Sequence, residues 1–183
     1  MIFRKLTQWT RFEWTVGRLP VEPPPLPPHY AIHLAEREEK AAVWKVVNDS
    51  LALDPAWNAS FTELRPHLRA QLDEVFDHGQ RRDGDVACCL ALTHGTRIVG
   101  VSMVSLEPAA ENHLLTGPCV YSEYRNRGLG TALLLYSLCE LRDSGLTRIY
   151  GVTKQCPAAR FVYPKFGGQS VPYELDALLA TAV

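Results

Sequence analysis

Seven consecutive residues, Arg125-Asn126-Arg127-Gly128-Leu129-Gly130-Thr131, bring together two guanidinium groups, two glycines and a hydroxyl. They stand between an apolar run, Leu114 to Tyr121, and a strongly helical one, Leu129 to Arg142. A strand that stops at such a turn and restarts as a helix leaves the helix's first backbone N–H groups without intrahelical partners. Those donors and the positive end of the helix dipole form a pocket for an anion such as a pyrophosphate, and the glycines let the backbone approach its oxygens. Two familiar phosphate patterns do not fit. A dinucleotide site asks for Gly-x-Gly-x-x-Gly early in the chain, whereas here Leu133 holds the third position and the turn is late. A Walker A loop needs Gly-Lys-Ser/Thr, which the chain lacks.

The elements around the turn follow from periodicity. Tyr30 to Ala35 alternates as a strand. Glu38 to Leu51 has helical spacing and stops at Asp54-Pro55, and a second helix is predicted from Ser60 toward Phe76, with Pro66 as a kink or a delayed start. Asp77-His78-Gly79 and Arg82-Asp83-Gly84 punctuate the boundary that follows. Val86 to Thr93 and Arg97 to Leu106 form a hairpin, and Leu114 to Tyr121 is the strand that leads into the turn. Beyond the helix after the turn come a strand at Ile149 to Thr153, a short helix at Ala158 to Tyr163 and a last strand at Ser170 to Leu175. The order βααβββαβαβ indicates a mixed α/β sheet. Upstream, residues 20–28 hold six of the chain's 13 prolines, an extended segment that follows a basic, aromatic arm with Trp9, Phe12 and Trp14. That arm folds back on its own domain, pairs with a neighbour, or serves as a docking site.

Arg125-Asn126-Arg127-Gly128-Leu129-Gly130 is an instance of Arg/Gln-x-x-Gly-x-Gly/Ala. With its flanking strand and helix it resembles the acetyl-CoA signature of the GCN5-related N-acetyltransferases. Ala159, Tyr163, Lys165 and Gly167 are similar to that family's Ala-x-x-x-Tyr-x-Lys-x-Gly segment, and together the similarities span about residues 30–175. The resemblance implies an α/β fold with a mixed, mostly antiparallel central sheet flanked by helices, here a domain over residues 29–183 after an arm and linker over residues 1–28. It implies acetyl-CoA as cosubstrate and transfer of the acetyl group to a primary amine of a small molecule or peptide. The backbone amides of Asn126, Arg127, Gly128, Leu129, Gly130 and Thr131, with Arg125, would hold the pyrophosphate. Pro118, Cys119 and Val120 would line the pantetheine, and Cys156 stands where relatives carry a cofactor-contacting Asn.

The implied chemistry is attack of a neutral amine on a thioester, with Tyr163 as the acid that protonates the departing thiolate. Glu111 and His113 are candidates for the base, with Glu107, Glu123 and a water chain as alternatives. Cys119 is expected to be an inward-facing packing residue. Gly168 replaces an aromatic usual after Gly167, and only 15 residues follow it, short for the two closing strands of this fold. The last strand is then missing, or comes from the N-terminal arm or from a second subunit, so a homodimer is one arrangement to test. A catalytically silent acyl-CoA-binding module is the alternative function.

The composition excludes several partner classes. A formal net charge of −1 gives no cause to expect nucleic acid or an anionic membrane surface. No apolar run approaches the roughly 18 residues of a span, and no secretory h-region follows Arg4 and Lys5. Five cysteines in no metal-like spacing, with Cys88 and Cys89 predicted on opposite faces of a strand, fit free thiols in a reducing cytoplasm and no metal site.

Overall fold

A computed structural model describes residues 9–77 and 86–173. The Gly punctuation at residues 78–84 and the end of the last predicted strand, residues 174–175, lie outside these. Four antiparallel strands form the first sheet in the order β2-β3-β4-β5: β2 Tyr30–Leu34, β3 Ala87–His94, β4 Arg97–Ser105 and β5 Cys119–Val120. Three more form the second, in the order β6-β1-β7: β1 Trp9–Thr15, β6 Arg148–Lys154 and β7 Gln169–Tyr173. Helices α1 Lys40–Ala52 and α2 Asn58–Asp77 connect β2 to the rest; α3 Leu129–Asp143 and the short α4 Pro157–Phe161 flank β6. The α2 helix runs through Pro66. No helix among the described residues is long and apolar enough to cross a membrane.

The first sheet is buried on both faces, and its alternation explains the adjacent cysteines. Cys88, Leu90 and Leu92 pack with α3 residues Leu133, Leu134 and Leu138. Cys89 and Ala91 face Val43, Val47 and Leu72 of α1 and α2 on the other side. All five cysteines are free thiols.

Two departures from the predicted elements shape the site. First, β1 is not an appendage. It lies between β6 and β7, antiparallel to both, with Trp9 opposite Lys154 and Tyr173. The N-terminal arm therefore supplies a strand of the second sheet, one of the arrangements the sequence left open.

Second, the strand expected over Leu114 to Tyr121 is mostly irregular: one bridge at Leu114, then β5. Gly117 has φ +62° and Pro118 has no N–H to donate, so a regular ladder cannot run through them. The Thr116 hydroxyl substitutes for a backbone carbonyl by accepting from Met103 N–H at 3.0 Å. Beside this break, β5 does not pair with β6. The two sheets are joined instead at the other end, where His113 N–H donates to the Tyr150 carbonyl (2.7 Å) and Asn112 Oδ1 accepts from Val152 N–H (3.0 Å). The sheets are thus stitched at one end and open at the other, where the turn lies.

Candidate active site

At the open end, the Gly turn has the geometry of an anion cradle. Asn126 and Gly128 adopt φ of +60° and +77°, left-handed values that Asn and Gly tolerate better than other residues. Gly128 caps α3, and a Cβ placed on Gly128 or Gly130 would meet nothing within 4 Å, so the space over both residues is open. Among the described residues, none of the amides from Asn126 to Thr131 donates to a backbone carbonyl. These six amides, three before the helix and three in its first turn, can offer N–H groups to an anion.

The turn opens into a cavity of about 500 Å³ between the splayed sheets, lined by Pro118, Cys119, Val120, Arg125, Asn126, Gly128, Gly130, Thr131, Cys156 and Tyr163 among others. The side chains of Arg127 and Leu129 do not line it. Arg127 donates to the Glu123 carbonyl and lies over Tyr124, and Leu129 is buried in the core, so only their amides are available to the turn. The Cys119 thiol is buried and pushed up to about 12 by loss of solvent, which keeps it neutral and suits the packing role expected of it.

Arg125 has a different task from simple phosphate binding. Its Nη1 donates to Asp54 Oδ2 (2.7 Å), Nη2 to the Ser50 carbonyl (3.0 Å) and Nε to the Val120 carbonyl (3.0 Å). One guanidinium therefore braces the turn against the end of α1 and the loop that follows. A lysine has one point charge and cannot reproduce this fork. Arg125→Lys is expected to cost about 1–2 kcal/mol and to lower Tm by about 2–8 °C, measured by calorimetry; an unchanged Tm would show that the brace is not structural.

A second cavity, about 660 Å³, lies on the far side of Tyr163 between α2, β1 and the 105–116 segment. Trp9, Trp57, Glu74, Glu107, Glu111 and Gln71 contribute to its wall. Tyr163, Trp57, Leu51, Thr116 and Thr153 line both cavities. Glu111, expected near the chemistry, is in this second cavity, where its carboxylate accepts from the Tyr173 hydroxyl. Burial, and then that carboxylate, push the Tyr173 phenol up to about 12.

His113, the other expected base, lines neither cavity. Its ring is fully buried and stacked on Tyr150, and Nδ1 accepts from the Tyr150 N–H at 2.9 Å. Burial holds its pKa below the ordinary histidine value. It is a structural staple between β4 and β6, because the same 113–150 pairing that closes one end of the sheets takes up its lone pair. Glu123 also lies elsewhere, paired with Arg97 at 3.2 Å.

Tyr163 is 4% exposed and tightly held. Its ring centroid lies 5.3 Å from Phe12 and 5.9 Å from Trp14, both from β1. Trp14 is anchored in turn by its Nε1, which donates to the Lys165 carbonyl at 3.0 Å. Gly168, which lacks the usual aromatic, makes room for this: a Cβ there would overlap the Tyr163 carbonyl and the Trp14 indole. Trp14 thus fills from the N-terminus the space left at residue 168. A Cβ on Gly117 would overlap the Tyr163 hydroxyl, so the positive-φ glycine in the broken strand is what allows that hydroxyl its place.

A family model described as the acetyltransferase (GNAT) family matches residues 50–167, which include the turn, both cavities' shared wall and Tyr163. The chain belongs to that family. Solved GNAT structures share its fold. A GCN5-related N-acetyltransferase from Sphaerobacter thermophilus superposes with a TM-score of 0.59 at 14% identity over 91% of this chain and 49% of its own. One from Kribbella flavida gives 0.58 at 15% identity, over 91% and 56% of the two chains. A tandem GNAT protein from the clavulanic acid biosynthesis pathway gives 0.57 at 17%, over 92% and 54%. This GNAT chain therefore spans about half the length of those structures. None of the curated proteins matches it. The family match begins at residue 50, so β1 and β2 lie outside it.

Sequence patterns missed Gly117, Thr116, Asp54, Trp57 and Glu74 of α2 as site residues. Asp54-Pro55 stood only as a helix stop, and Gly117 carried the one legible sign, a Gly-Pro pair inside a predicted strand.

Proposed function

We propose that the protein is an acetyl-CoA-dependent N-acetyltransferase that acylates a primary amine directly. One observation carries this reading: Tyr163 belongs to the wall common to a cavity that opens on the anion turn and a cavity lined by carboxylates. The open space over Gly128 and Gly130, the free amides of residues 126–131 and the gap between β5 and β6 fit a pyrophosphate with an extended arm behind it. Acetyl-CoA supplies the thioester carbon that the amine attacks; the C–S bond then breaks as the C–N bond forms.

The chain's own residues move two protons. Glu107 and Glu111 face the ammonium in the second cavity and draw its proton off, directly or through water. Tyr163 protonates the departing sulfur. Burial raises the Tyr163 phenol above its ordinary value, so it is neutral and able to donate. Four of the five free thiols are buried, which fits a reducing cytoplasm.

The test is thiol release from acetyl-CoA by the purified chain with a panel of primary amines, alongside calorimetric binding of CoA. Turnover with any amine supports the transferase. Tight CoA binding with no turnover across the panel would replace it with the silent acyl-CoA-binding module.

A further inference from the structure

The geometry points to Trp9, in the strand outside the family-matched span, as the residue that reads the acceptor, and to an amine carried on an apolar, ring-sized body as what it reads. The inference rests on the acetyltransferase reading and names its substrate class.

Parity along β1 places Trp9 and Phe12 on opposite faces. Phe12 and Trp14 enter the core around Tyr163, while Trp9 turns to the second cavity and forms part of its wall. Trp9 is only 7% exposed, and its position is fixed from three directions. It pairs across to Lys154 and to Tyr173, and its ring meets Trp57 edge-on at 6.1 Å between centroids. Trp57 is itself held by Lys154, whose buried ammonium lies 4.9 Å from its ring centre and donates to Ser60 Oγ at 3.1 Å. Two indoles at set angles are a rigid apolar wall, and their ring faces attract both an apolar body and an ammonium.

The charge of the cavity agrees. Glu74, Glu107 and Glu111 line it, and no lysine or arginine does among the described residues. An acceptor that carries a carboxylate or phosphate beside its amine meets like charge there. A volume of about 660 Å³ exceeds what a short alkylamine fills and suits a ring with a side arm.

The experiment compares phenethylamine, propylamine and phenylalanine as acceptors for the wild-type chain, Trp9→Leu and Trp9→Phe, with CoA affinity measured on each as a check of folding. For the wild type, kcat/KM for phenethylamine is expected to exceed that for the other two by about 10-fold or more. Trp9→Leu should bring phenethylamine to within about threefold of propylamine through KM, with kcat and the KM for acetyl-CoA within about twofold. Trp9→Phe, which keeps a ring, should retain most of the preference. A wild type that prefers propylamine or phenylalanine, or a Trp9→Leu that binds CoA and keeps the full preference, overturns the assignment. Calorimetric binding of phenethylamine to the same variants separates the two proposals. If no amine turns over, weaker phenethylamine binding by Trp9→Leu still upholds Trp9, and equal binding still refutes it.

Discussion

Tyr163→Phe should lower kcat by about 10²–10⁴-fold, the range for removing a positioned acid, while the KM for acetyl-CoA stays within about twofold. The ring remains, so its contacts with Phe12 and Trp14 survive and the fold should not suffer. Only the proton donor is lost, and the sulfur must leave unprotonated or find water in a buried site. The sign of the pH dependence follows from the same burial. A phenol raised above its ordinary value stays protonated as pH rises, so the wild-type rate should show no alkaline fall from this group up to about pH 9. Gly117→Ala offers a second route to the same defect, because its methyl would overlap the Tyr163 hydroxyl. It should reduce kcat in a protein that still binds CoA. Steady-state kinetics on both variants decide the matter: a Tyr163→Phe enzyme with near wild-type kcat would remove Tyr163 from the chemistry.

The donor half of the site was legible because its signal is local. A Gly turn between a strand and a helix specifies amides and dipole by spacing, and the likeness of Ala159 to Gly167 to the family's segment points to the phenol. The acceptor half depends on contacts far apart in the chain, which no spacing encodes. Asp54 meets Arg125 from 71 residues away. Trp14 meets the Lys165 carbonyl from 151 away and occupies the place beside Gly168. Strand β1 had its own sign, apolar Phe12 and Trp14 alternating with Arg11, Glu13 and Thr15, but six prolines behind it made the segment look detached. His113 misled for a related reason. A histidine near a predicted strand end is a base or a staple according to where its lone pair goes, and here Tyr150 takes it.

Gly128→Val should raise the Kd for CoA by about 100-fold or more, and two independent effects add to that figure. A left-handed φ costs an ordinary L-residue about 1–2 kcal/mol, and a β-branched one tolerates it least. With φ at +77° and a helix cap depending on it, the turn would shift its amides off the anion. The side chain would also enter space that is open in the wild type, where the phosphate oxygens approach the backbone. Either effect alone is about tenfold in affinity, since about 1.4 kcal/mol corresponds to that factor. The helix itself is secured by Leu133, Leu134 and Leu138 in the core, so the variant should fold. Its circular dichroism should match the wild type while calorimetry shows the loss of CoA. Gly130→Ala is a useful contrast, since Gly130 has no positive φ and a methyl there meets nothing within 4 Å. It should weaken CoA only by the volume its methyl takes from the ligand. If Gly128→Val retains wild-type affinity, the turn does not cradle the phosphate, and the cavity beside it must hold its ligand by Thr131, Arg125 and the β5 edge alone.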